Sequence, residues 1–244
     1  MSHLDILKIK QTFNKNWIAV ENSYGYRCEE FDSYDWSDCI LFLGCSHVYG
    51  MSNTIENTIP YLCSKISGNT SINMGICGGG PETVYHNTFA LIEKSYIPKC
   101  VVILWPEYTR LLYYKGNEIG SGESPLLVGA WSEKEGNKVW RQHIENAENY
   151  MTKTYLIQRS VANAWKLENV RVINFTFIPK GSANCTFYYR NVPDEFGCGR
   201  DGHSLLSSVY PFTVLPVPID IAEDNIHLGP KTNLNYAQFI TKYY

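Results

Sequence analysis

No apolar run in the 244 residues approaches the roughly 18–20 needed to cross a bilayer as a helix. Charge is scarce too: 18% of the residues are Asp, Glu, Lys or Arg, and the formal net charge is -3. No dense run of Lys and Arg offsets that balance, so a nucleic-acid-binding face is not expected. The first residues, Met1-Ser2-His3-Leu4-Asp5-Ile6-Leu7-Lys8, lack a basic region followed by an apolar one. A secretory signal is therefore not expected, and a soluble cytosolic protein is. Export without such a signal, for example within a virus particle, stays open. The eight cysteines, Cys28, Cys39, Cys45, Cys63, Cys77, Cys100, Cys185 and Cys198, include no C-x-x-C pair. That spacing does not suit a zinc site, and a disulfide framework is not expected in a long chain without a secretion signal. Reduced thiols packed as small apolar side chains are the expectation. Internal repeats and low-complexity tracts are also missing.

What is present is an ordinary globular share of hydrophobic residues, 44%, in a length that suits one large domain or two small ones. Residues 1–39 are mixed and polar and read as an N-terminal arm, with a strand-like piece at 17–20. Ile40-Leu41-Phe42-Leu43 reads as a buried strand and runs into Gly44-Cys45-Ser46. A helix is expected over 58–66, with Pro60 in its first turn. A second strand over 71–76 leads into Cys77-Gly78-Gly79-Gly80-Pro81, followed by an amphipathic helix over 82–95. The third strand, 100–104, ends at Trp105-Pro106. Strands alternating with helices at such intervals predict parallel βαβ units. A helix over 145–167, a fourth strand over 170–175 and a last helix from 229 complete the regular elements. Two irregular stretches, 107–146 and 177–220, read as insertions over the carboxyl edge of the sheet. Aromatic residues make up 14% of the chain, with 18 tyrosines, and crowd its second half.

A serine just past the carboxyl end of a buried strand lies where open α/β sheets place their ligands. Ser46 is thus a candidate nucleophile, which needs a base within hydrogen-bond reach and a group that orients the base. His227 is the best-placed of six histidines. It lies in Asp224-Asn225-Ile226-His227-Leu228-Gly229, just before the last helix, and one turn can bring the Asp224 carboxylate to its ring. Asp201-Gly202-His203 is a rival pair, and a surface loop with a capping aspartate is the plain alternative for Asp224. His47 adjoins Ser46, but adjacent residues rarely face each other. Gly78-Gly79-Gly80 lacks the Gly-Lys-Ser/Thr ending of a P-loop and the full dinucleotide spacing.

These strings resemble the SGNH hydrolases, the GDSL esterase and lipase superfamily. Phe42-Leu43-Gly44-Cys45-Ser46 matches its first block, with Cys45 at the usual aspartate. Asn73-Met74-Gly75-Ile76-Cys77-Gly78 matches the second, and Asp224 through Gly229 the fifth. The resemblance covers roughly 40–105 and 220–243. It implies one domain over 1–244: a three-layer α/β/α sandwich with a mostly parallel sheet of about five strands and flavodoxin-like topology. It also implies Ser46 as nucleophile, His227 as base and then acid, Asp224 as its partner, and the N–H groups of Ser46 and Gly78 as oxyanion donors. The third block departs from the pattern. Glu107 falls near the asparagine that supplies a third donor, and an ionised carboxylate only accepts. Tyr108, Thr109 and Arg110 are substitutes for that donor, and Glu107 and Arg110 are candidate substrate contacts. Arg110 is equally readable as half of a structural ion pair. The activity implied is hydrolysis of a small-molecule or carbohydrate ester, O-acetyl groups included, without metal or organic cofactor. A non-catalytic binding or structural protein on the same fold, or an acyltransferase, stays open.

Overall fold

The computed structural model describes residues 4–9, 21–106, 110–113, 126–128, 147–176 and 213–244. The strand-like piece at 17–20, Glu107, His203 and most of the two expected insertions lie outside them.

Strand β1, Cys39–Gly44, is buried along its whole length. Ser46–Tyr49 forms the single-turn helix α1, and Ile59–Ser67 forms α2. Thr58 caps α2 by accepting from the Tyr61 N–H, and Gly68 ends it. Strand β2 is Thr70–Gly75, helix α3 is Pro81–Glu93 and strand β3 is Cys100–Leu104. Leu111–Tyr113 (β4) and Leu126–Val128 (β5) pair antiparallel, a ribbon inside a stretch expected to be irregular. Helix α4, Ala147–Leu167, precedes strand β6, Arg171–Thr176, then the short β7, Thr213–Val214, and helix α5, Pro230–Ile240.

Five strands form one sheet in the order β2-β1-β3-β6-β7, every pair parallel. Counting only those five, the order is 2-1-3-4-5, the flavodoxin-like arrangement. Alternate side chains of the central strands face opposite layers, as the period of two requires. Leu41, Leu43, Val101 and Ile103 pack with Val84 and Leu91 of α3 and with Val161 and Trp165 of α4. Ile40, Phe42, Val102 and Leu104 pack with Ile59 and Cys63 of α2 and with Tyr236, Ala237 and Ile240 of α5. The three-layer α/β architecture expected from the sequence is therefore present.

Residues 21–38 enter this core more deeply than the word arm suggests. Tyr26, Phe31 and Trp36 are buried in the layer that holds α3 and α4. The strand order puts the ends of β2 and β3 on either side of β1, with Gly44 level with Gly75 and Leu104. Close packing at Gly75 seats α1 there: a Cβ on Gly75 would lie 2.1 Å from the Tyr49 nitrogen. The first residue of α1 is Ser46.

Candidate active site

The chain leaves β1 at the point where neighbouring connections depart in opposite directions, the crevice in which such sheets bind ligands. Ser46 stands there, 5% exposed. As the first helical residue its N–H has no acceptor within α1. After β2, the Gly79 N–H donates to Ile76 O at 2.8 Å and closes a tight turn. Gly78 is the third residue of that turn, with φ of 77°. That left-handed conformation is unstrained without a Cβ. The candidate oxyanion donors Ser46 and Gly78 thus sit on the two turns that leave the adjacent strands β1 and β2.

His227 is brought to the same edge from the far end of the chain. The segment between β7 and α5 folds back on itself: Ala222 N–H donates to His227 O at 2.8 Å and Gly229 N–H to Asp220 O at 3.2 Å. Asp220 caps α5, accepting from the N–H groups of Thr232 at 2.7 Å and Lys231 at 3.1 Å. The Asn233 amide of α5 reaches Asn57 O at 2.9 Å, just before α2. The loop is therefore tied to the same face of the sheet as α2.

In this frame the three residues singled out as nucleophile, base and orienting acid form one chain of hydrogen bonds. His227 Nδ1 lies 2.6 Å from Asp224 Oδ2, and His227 Nε2 lies 2.9 Å from Ser46 Oγ. The geometry fixes the tautomer of the neutral ring. An ionised carboxylate only accepts, so Nδ1 carries the proton and Nε2 is left to accept from the serine hydroxyl. Asp224 is held from both sides. Oδ1 accepts the N–H groups of Ile226 and His227, each at 2.9 Å, and Oδ2 also accepts from Ser52 Oγ at 2.5 Å. Burial raises its pKa, but these donors outweigh burial and hold the carboxyl well below its usual range.

His47 lies closer to this chemistry than its adjacency to Ser46 suggested. Its ring centroid is 5.5 Å from that of His227. Burial, then the charges of His227 and Arg110, push its pKa well below the ordinary value, against a smaller pull from Asp224. Arg110, just before β4, hydrogen bonds through Nη1 to Gly79 O at 3.3 Å, and its main chain packs on Gly80. The structure thus sets Arg110 against the glycine turn that carries Gly78. Its proposed companion Glu107 lies outside the described residues, as do Tyr108, Thr109 and the rival base His203. Among the described residues, no group of three or more His, Cys, Asp or Glu side chains could hold a metal ion. No helix of the described residues is long and apolar enough to cross a membrane.

Sequence reasoning overlooked Ser52, Asn53, Arg27 and Asp220. Only Asp220 carried a usable signal, an acid upstream of a Gly-Pro helix start. The other three act on main-chain atoms or residues far away in the chain.

No protein-family model and no curated protein matches the chain. Solved structures do. TesA is 14% identical over 84% of this chain and 98% of its own, with a TM-score of 0.50. A member of the lipolytic G-D-S-L family from Veillonella parvula is 8% identical over 84% and 97%, TM-score 0.48. An acetyl xylan esterase from Butyrivibrio proteoclasticus is 12% identical over 85% and 63%, TM-score 0.47. At these identities the likeness is one of fold. The mostly parallel sheet with flanking helices is shared with TesA.

Proposed function

We propose that the protein is a serine hydrolase that cleaves carboxylic esters through an acyl-enzyme. The observation that carries this is the continuous bonding from Ser46 Oγ through His227 to Asp224, at 2.9 Å and 2.6 Å. Ser46 Oγ attacks the acyl carbonyl carbon while its proton passes to His227 Nε2. The carbonyl oxygen becomes an oxyanion, met by the N–H groups of Ser46 and Gly78. The tetrahedral species collapses, and the alcohol leaves with the proton from Nε2. Water then gives a proton to Nε2, attacks the acyl carbon, and releases the acid as Ser46 regains its hydrogen. Asp224 stabilises the imidazolium formed in each half-reaction.

Arg110, packed against the glycine turn, is the candidate contact for an anionic substrate group, and Glu107 is the second candidate substrate contact. O-acetyl groups on carbohydrate are the substrates to try first. The aromatic content of residues 107–146 and 177–220 suits stacking on sugar rings. The test is release from an activated acetyl ester by the wild type, Ser46→Ala and His227→Ala. Each substitution is expected to lower kcat/KM by at least about 10³-fold, since such residues act as a unit. Equal rates for wild type and Ser46→Ala would end the proposal.

A further inference from the structure

The turn that follows α1 is built more firmly than the serine and histidine alone require. Arg27 is buried, and its guanidinium donates to Gly50 O and Asn53 O, both at 2.9 Å. The Asn53 amide, also buried, donates to Leu228 O at 2.9 Å, one residue beyond His227. Between them Ser52 has a φ of 61°. That left-handed conformation is uncommon for residues other than glycine, asparagine and aspartate. Glycine would adopt it without strain, so the serine answers to its side chain. Its hydroxyl donates to Asp224 Oδ2 at 2.5 Å across a separation of 172 residues. An observed backbone outlier that aims a donor at a site is a reason to look for function there.

We propose that Ser52 is a positioning residue: its hydroxyl holds the Asp224 carboxylate in the orientation in which Oδ2 accepts from His227. This rests on the esterase function proposed above. Without Ser52, Asp224 keeps the two N–H donors on Oδ1, but Oδ2 has the imidazole alone and can rotate away from it. The carboxylate also becomes a stronger base, because one hydrogen bond to its charged form is gone. His227 then sits among Asp224 of its own loop, Ser46 and His47 of α1, and the charge of Arg110 beyond His47. Ser52 meets this group through its hydrogen bond to Asp224.

Two variants and four readouts test the proposal. Ser52→Gly removes the hydroxyl and relieves the backbone, so its Tm should equal or exceed that of Ser52→Ala. Ser52→Ala removes the hydroxyl and keeps the strain. Both are expected to lose about 10- to 100-fold in kcat/KM on an activated acetyl ester, the worth of one hydrogen bond to a charged group. In both, the acid limb of the kcat/KM profile should move, because the carboxylate that faces the imidazolium is no longer held in the same orientation. The strongly deshielded NMR resonance of the proton between His227 Nδ1 and Asp224 Oδ2 should move in both. Wild-type kcat/KM and pH profile in Ser52→Gly overturns the proposal. So does a lost rate with the resonance and the profile unmoved. If the wild type is no faster than Ser46→Ala, the esterase function fails instead. The proton resonance, which needs no turnover, then decides the role of Ser52 alone.

Discussion

His47 is 7% exposed, and its ring faces that of His227 at a centroid distance of 5.5 Å. Burial, and the positive charge of His227 and Arg110, disfavour its protonation in the folded state. The unfolded chain takes up that proton near pH 6.5. Between pH ~6.5 and the lower folded value, protons therefore favour unfolding, and stability is lost as the pH falls through that window. The limiting slope is about 1.4 kcal/mol per pH unit for one proton. The Tm of the wild type should drop between pH 7 and pH 5, and that of His47→Leu should drop less. His86, whose pKa burial also lowers, leaves a residual slope in both. Equal slopes would remove His47 from this account. At this scale the sequence was uneven. Ser46, Asp224 and His227 stood out because each lies at an element's end in a recognisable string, and they are the residues found in contact. His47 was set aside on the premise that neighbours diverge. Within one helical turn two adjacent side chains can still reach a single ring. Ser52 offered no local sign, since its partner lies 172 residues away.

Helix α3 shows what periodicity conveys and what it omits. Val84 and Leu91 face the core as expected, but so do the polar Thr83, Asn87 and Thr88. Each has a partner. Asn87 donates to the Tyr26 hydroxyl at 2.8 Å and accepts from the Leu7 N–H at 3.3 Å. Thr88 Oγ1 accepts from the Trp165 indole at 3.2 Å, and Thr83 Oγ1 donates to Gly80 O at 2.7 Å. An apolar pattern cannot reveal a polar stripe whose partners lie in other elements, as for Asn87 and Thr88, or in the helix's own cap, as for Thr83. Asn87→Ala leaves the Tyr26 hydroxyl and the Leu7 N–H without that amide, which should cost about 2–4 kcal/mol. Urea denaturation measures it, and a loss below 0.5 kcal/mol would mean that water replaces the side chain. The buried strands were the most legible elements. Four to five consecutive apolar residues between turn residues leave little choice of structure. Strands β2 and β6, whose apolar residues are interrupted, lie one residue from expectation: 70–75 in place of 71–76, and 171–176 in place of 170–175.

At the scale of the whole molecule, parallel βαβ units were legible from strands and helices alternating at short intervals, and the flavodoxin-like order came only with the family resemblance. The role of the first 38 residues was not legible. Tyr26, Phe31 and Trp36 carry no strand or helix period, yet they form part of the layer that also holds Trp165. Arg27, from the same segment, binds the turn after α1. A chain lacking residues 1–38 should therefore show no cooperative thermal transition by circular dichroism. A transition within a few degrees of the intact chain would instead make the segment an appendage. The hydrogen bond between His227 and Ser46 spans 181 residues of chain. Synthesis from the amino terminus therefore yields a sheet strand and a serine long before it yields the imidazole that bonds to that serine. During elongation Ser46 is an ordinary alcohol. It gains its partner only once the loop before α5 has left the ribosome and that helix has docked beside α2. Any polypeptide released before that point carries Ser46 without His227, so under the proposed mechanism unfinished chains have no esterase activity.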